Sequence, residues 1–184
     1  HSPDGKEGFP GNVDVTVVYR LTDRNELEIR YKAVSDKDTI INMTNHSYFN
    51  LNGAGNGNIN QHVMEINADQ FTLNADDCVP TGEIVPVEGT AMDFRTPKAI
   101  GRDADNDEPS VKPFGGYDSN FVISGHPIAI TIGDQTGITM VTDTDQPGVQ
   151  LYTANALTDR KGKGGKEYSS RSAFCLETQH YPDS

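Results

Sequence analysis

The chain has 184 residues, 34% of them apolar and 23% charged, enough for one domain with a real core or for a large piece of one. Fifteen Lys and Arg against 27 Asp and Glu leave a net charge of −12, which repels phosphate backbones and argues against a nucleic-acid partner. No run approaches the roughly 18 apolar residues of a membrane span, and residues 1–20 hold no apolar leader, so no membrane partner is expected and the cytoplasm is favoured. Cys78 and Cys175 are too few for a disulfide framework or a Cys-rich zinc site; two unpaired, buried thiols are expected, with one bridge between them left open.

Val13, Val15, Val17 and Tyr19 alternate with Asp14, Thr16 and Arg20, the period of a strand with one buried face. Thr22 to Asn25 reads as a turn, because Asp and Asn side chains satisfy local backbone groups. Leu27, Ile29, Tyr31 and Ala33 then alternate with Glu28, Arg30 and Lys32, which completes an antiparallel hairpin. Further strands are expected at Thr39–Thr44, His62–Asn67, Phe121–Ser124, Ile128–Ile132, Gly137–Asp143, Gly148–Thr153 and Ala173–Glu177. Asn, Gly and Pro clusters separate them, and no window carries a capped apolar stripe of helical period. The pattern predicts an all-β fold, a β-sandwich. Between Lys98 and Pro113, Asp103, Asp105, Asp107 and Glu108 suggest a calcium loop at first sight. The position that requires glycine is Glu108, so an acidic, solvated surface segment is expected instead.

Four short runs hold groups able to do chemistry. His46 lies in Asn45-His46-Ser47-Tyr48-Phe49-Asn50 directly after an apolar stretch; its type titrates near neutrality and suits a proton donor, or it holds a turn together. Glu177 closes an apolar strand: pointing outward, as its local sequence suggests, it is solvated; pointing inward, burial would raise its pKa and make it a general base. Asp118 follows Gly115-Gly116-Tyr117 and reads equally as a sugar-binding carboxylate beside an aromatic ring or as an Asx-turn. Gln150, inside a strand-like run, offers both a donor and an acceptor to hydroxyls. His62, His126 and His180 lack metal-ligand spacing and read as surface or turn residues. Phosphate loops, the Gly-x-Ser-x-Gly elbow and paired-His motifs are missing, so nucleotide, serine-hydrolase and zinc-protease chemistry are set aside.

Taken in order, Ser2-Pro3-Asp4-Gly5-Lys6-Glu7-Gly8-Phe9-Pro10-Gly11, Asn45 to Leu51, Pro80 to Val87, Asp93-Phe94-Arg95, Gly116-Tyr117-Asp118, Pro147 to Thr153, Leu176 to Gln179 and Tyr181-Pro182-Asp183 resemble the aldose 1-epimerases, or galactose mutarotases. The resemblance implies a β-sandwich of the galactose mutarotase type, with Glu177 as the base that takes the anomeric hydroxyl proton and His46 as the acid that protonates the ring oxygen. It also implies that Asp118 and Gln150 hold sugar hydroxyls and that neither metal nor cofactor is needed. A family N-terminal portion that supplies an arginine and a second histidine has no counterpart in the chain, nor have strands after Tyr-Pro-Asp. Residues 1–184 are therefore expected to be part of one sandwich domain whose bare sheet edges favour self-association or a companion fragment. The alternatives are a non-catalytic sugar-binding sandwich and a hexose 6-phosphate epimerase, the latter disfavoured by the scarcity of clustered Lys and Arg.

Overall fold

The computed structural model describes residues 1–75 and 77–184, which fall into two compact units, His1–Met43 and Thr44–Ser184. The first unit is the expected hairpin: β1 (Val13–Leu21) pairs antiparallel with β2 (Leu27–Ser35) in unbroken register from Val13–Ser35 to Leu21–Leu27. Asn25 takes the left-handed conformation in the turn, a role Asn tolerates. The face expected to be buried is not. Tyr19 is 59% and Leu21 79% exposed, because a two-stranded ribbon has no second layer of its own to cover it.

The second unit holds two antiparallel sheets. Its strands are β3 (Val63–Ile66), β4 (Ala68–Asn74), β5 (Pro80–Pro86), β6 (Lys98–Ala99), β7 (Asp118–Ile123), β8 (Ala129–Ile132), β9 (Thr139–Thr142), β10 (Gly148–Tyr152), β11 (Arg160–Lys161), β12 (Glu167–Tyr168) and β13 (Cys175–Gln179). One sheet runs β13-β10-β7-β4-β5 and the other β6-β3-β8-β9, while β11 and β12 form a separate ribbon. Alternation decides what faces the core. Phe71, Phe121, Val149, Leu151 and Leu176 point inward from the five-stranded sheet, and Met64, Ile66 and Ala129 from the four-stranded one. Each large side chain so buried contributes about 1.5–3 kcal/mol relative to exposure. The helical pieces are 3₁₀ turns of three residues.

Several expectations need correction. Thr39–Thr44 forms no strand, and its Ile40 is exposed. β4 and β5 escaped the sequence reading because Ala68–Asn74 lacks clean alternation and Pro80–Pro86 is bracketed by prolines; β5 tolerates them as the edge of its sheet. The final strand starts two residues later than expected, at Cys175. Lys98–Pro113 is not simply solvated. Ile100, Ala104 and Val111 are buried, and Lys98 places its ammonium 2.8 Å from Asp103 and 4.1 Å above the Phe94 ring. Arg171 reaches both carboxylate oxygens of Asp105, which pins the acidic segment from outside. The cysteines are unpaired, but only Cys175 is buried; Cys78 is exposed. Among the described residues, no helix is long and apolar enough to cross a membrane.

Candidate active site

The core takes one face of β7, β10 and β13; the other face is polar. Register pairs Glu177 with Gln150 and Gln150 with Asn120, while Tyr152 lies opposite both Cys175 and Asp118. Residues paired across antiparallel strands share a face, as do residues two apart along a strand. Cys175, Glu177, Gln179, Gln150, Tyr152, Asp118 and Asn120 therefore occupy one continuous surface. Glu177 points into the protein and is 8% exposed, so the outward reading is overturned. The chain is antiparallel here, and a carboxylate on this face meets other polar side chains rather than bulk water.

His46 arrives from a loop that the same sheet holds in place. Phe49 and Phe174 exchange two backbone hydrogen bonds of 2.8 and 2.9 Å, which anchors the loop beside the start of β13. Asn50 donates to the carbonyls of Gly57 and Ser172, and Asn45 accepts from the Ser47 amide to close a turn around His46. Behind it, the Leu51 amide donates to His62 Nε2 at 3.0 Å, and His62 Nδ1 lies 3.1 Å from Asp134. His62 is thus fully buried rather than at the surface: it supplies the acceptor for a loop amide and packs edge-on against Phe174. Burial pushes its pKa down, with Asp134 opposing.

The result brings His46 Nε2 to 3.3 Å from Glu177 Oε1, with the imidazole half exposed and the carboxylate nearly covered. Tyr48 and Tyr152 flank the imidazole at ring-centroid distances of 5.1 and 5.8 Å. Glu177 is held above the usual carboxylate range by burial, a shift that His46 opposes and Asp118 reinforces. Asp118 is likewise raised by burial, against the hydrogen bond it accepts from Gln150 Nε2 at 2.7 Å. Gln179 in turn donates to Gln150 Oε1, so a chain of amides holds the carboxylate. Cys175 places its sulfur 3.4 Å from His46 Nδ1, and burial next to Glu177 and Asp118 pushes the thiol up to about 12.

All four sequence-predicted residues thus meet on one surface. Asp118 opens a strand instead of an Asx-turn, and its aromatic neighbour is Tyr152, because Tyr117 points into the core. The turn before it depends on Gly116, at φ +148°, where a Cβ would collide with Asn155 Oδ1 and Thr153 Oγ1; Thr153 and Asn155 bind the Tyr117 amide and carbonyl. The sequence reading missed Tyr48, Tyr152, Cys175 and Gln179. For Tyr152, Cys175 and Gln179 the signal was present, since each lies two residues along a strand from a residue already singled out; Tyr48 sits in a loop, where no such period holds. A cleft of about 530 Å³, lined in part by Tyr48, Phe49, Leu157, Arg160 and Tyr168, reaches this surface through Tyr48 but does not contain the His46–Glu177 pair. One donor atom from each of His46, Cys175 and Glu177 lies within 4.8 Å of the other two, the one such His, Cys, Asp or Glu group found among the described residues.

The family model for aldose 1-epimerase matches residues 1–184. The chain belongs to the aldose 1-epimerase family. It is 43% identical over 187 residues to galactose mutarotase of Homo sapiens, covering 99% of this chain and 53% of the relative. With aldose 1-epimerase of Haemophilus influenzae it shares 37% identity over 188 residues, covering 100% of this chain and 54% of that protein. The crystal structure of galactose 1-epimerase from Lactobacillus acidophilus superposes with a TM-score of 0.86 at 29% identity, covering 98% of this chain and 52% of that one. The fold is the β-sandwich of that family, and the chain spans about half the length of these relatives.

Proposed function

We propose that this chain carries the acid–base half of an aldose 1-epimerase, which interconverts the α and β anomers of aldohexoses such as galactose or glucose. The observation that carries the reading is the approach of His46 Nε2 to Glu177 Oε1, 3.3 Å apart on a polar sheet face beside the Asp118–Gln150 pair. Anomerisation needs a base at the anomeric hydroxyl and an acid at the ring oxygen, and these two oxygens sit on one carbon. Two groups that serve them must therefore stand close together.

Glu177 takes the hydroxyl proton while the bond from the anomeric carbon to the ring oxygen breaks; His46 delivers a proton to that oxygen. The product is the open-chain aldehyde. Rotation about its bond to the next carbon presents the other carbonyl face. Reclosure returns the proton from the former ring hydroxyl to His46 and one from Glu177 to the new anomeric oxygen. Burial tunes Glu177 for this work, because a raised pKa makes the carboxylate a stronger base. Asp118 and Gln150 present an acceptor and an amide to sugar hydroxyls, and Tyr48 and Tyr152 offer ring faces to its C–H surface. The human relative is a galactose mutarotase, which supports galactose as a substrate. A purely sugar-binding module gives no reason for an acid and a base at one carbon. A 6-phosphate substrate calls for a cationic pocket, and among the described residues no Lys or Arg acts on Glu177 or Asp118.

Polarimetry of freshly dissolved α-D-galactose tests the reading. The chain should accelerate mutarotation over buffer, and Glu177→Gln should cut that acceleration by about 10²–10⁴-fold while circular dichroism stays native. Acceleration equal in the two proteins would refute Glu177 as the base. The exposed apolar faces of β1 and β2 also support self-association of the 184-residue chain, which sedimentation at rising concentration would reveal.

A further inference from the structure

We propose that His46, Cys175 and Glu177 together bind a thiophilic divalent cation of the zinc class, which occupies the acid–base pair and blocks it. The ion is an inhibitor and not a cofactor. Its inhibitory consequence rests on the functional reading above, but its binding does not. The donor set is one imidazole nitrogen, one sulfur and one carboxylate oxygen, a combination that selects zinc, cobalt or cadmium over magnesium or calcium.

Spacing lies within about 1 Å of what this class of ion needs. Tetrahedral bonds of about 2.0–2.3 Å place neighbouring donors roughly 3.3–3.7 Å apart. Here His46 stands 3.4 Å from the Cys175 sulfur and 3.3 Å from Glu177 Oε1. The first distance is measured from Nδ1 and the second from Nε2, so an ion takes one nitrogen and draws in the remaining ligand from no more than 4.8 Å. Three protein ligands leave a fourth position for water. The half-exposed imidazole gives the ion a way in, and the Asp118–Gln150–Gln179 chain supplies a polar surround on the same face.

The electrostatics point the same way. The Glu177 and Asp118 carboxylates stand on the same sheet face as the Cys175 sulfur, and a dication is drawn to that negative charge. On binding, the S–H proton and any proton on the ligating imidazole nitrogen leave to solvent, the sulfur and that nitrogen bond to the metal, and no electron changes hands. An ion bound to the imidazole and the carboxylate holds the lone pairs that proton transfer to a sugar would use.

Cobalt(II) is the probe, added to the chain in a Cys78→Ser background so that Cys175 is the sole thiol. The expected result is one ion per chain, with a thiolate-to-cobalt charge-transfer band and the intense visible bands of four-coordinate cobalt. Zinc should displace it, and about one to two protons should be released per ion, one from the Cys175 thiol and up to one from His46. Cys175→Ser should abolish the charge-transfer band, and His46→Gln should weaken binding by at least about 10–100-fold, the scale on which metal sites respond even to lost supporting contacts. No charge-transfer band, or one that survives Cys175→Ser, overturns the proposal. If Cys175→Ser does not fold, unchanged affinity in His46→Gln overturns it instead, since that side chain is half exposed and leaves the core intact. In a separate arm, zinc should slow any mutarotation and a chelator restore it. A chain without mutarotase activity speaks against the function proposed above, while the cobalt spectrum still decides the metal site.

Discussion

Replacing His62 with leucine should destabilise the second unit by an amount that depends on pH. The ring is fully buried, and its Nε2 is the acceptor for the Leu51 amide at 3.0 Å. Leucine fills similar space but accepts nothing, so a partly buried amide is left without its partner, at a cost of about 1–3 kcal/mol. That loss should appear in full near pH 7.5, where His62 is neutral. Burial lowers its native pKa, so from about pH 6.5 downward the unfolded chain binds a proton that the native state resists. The stability conferred by neutral His62 is therefore present above the unfolded pKa and lost as pH falls towards the native one. A single proton sets a ceiling of about 1.4 kcal/mol per pH unit on this slope. Asp134, whose pKa is lowered, titrates well below this window and does not confuse it. Urea unfolding followed by far-ultraviolet circular dichroism, at pH 7.5 and pH 5.5 for both proteins, measures the difference. The gap should shrink on acidification. A gap of the same size at both pH values would refute the claim that His62 is held neutral in the fold.

Glu177→Gln, besides its effect on turnover, should leave the fold as stable as before or more so at pH 7.5. Burial raises the Glu177 pKa, so its ionised form opposes folding, and this penalty grows as pH rises from about 4.5, the ordinary value, to the native one. A melting temperature several degrees lower in the variant would show that the carboxylate stabilises the site. A water-soluble maleimide should modify the exposed Cys78 in the native chain and leave Cys175 unmodified until denaturant is added, as mass spectrometry of the digested protein would report.

Much of the fold was legible because alternation is a local property. Val13 to Tyr19 and Leu27 to Ala33 carry period two plainly, and the β1–β2 register agrees at every position. What alternation cannot reveal is whether another layer covers the face it defines, and here Tyr19 and Leu21 stay exposed. Hidden strands had a different cause. β5 carries Pro80, Gly82 and Pro86, residues that forbid a central strand but suit the sheet edge it occupies. The apolar, β-branched run at Thr39–Thr44 shows the converse, since strand propensity alone makes no strand.

The site was legible residue by residue only through the family resemblance, because each local run admitted a structural reading. Glu177, judged by its neighbours, looked solvated; Asp118 looked like a turn. What removes the ambiguity is register, a non-local quantity. Once β13, β10 and β7 are adjacent, Glu177 faces Gln150, Gln150 faces Asn120, and Asp118 faces Tyr152. Core-facing Leu176, Leu151 and Phe121 on the opposite surface then leave these polar groups no choice of side. A one-residue slip of β13 would send Glu177 into the hydrophobic core and Leu176 onto the polar face, so the apolar packing that stabilises the sheet also fixes the orientation of the carboxylate. Burial on that face raises the Glu177 pKa, and the Phe49–Phe174 bridge delivers His46 to it. The same packing that keeps the sheet in register therefore sets both the basicity of Glu177 and its distance from the acid.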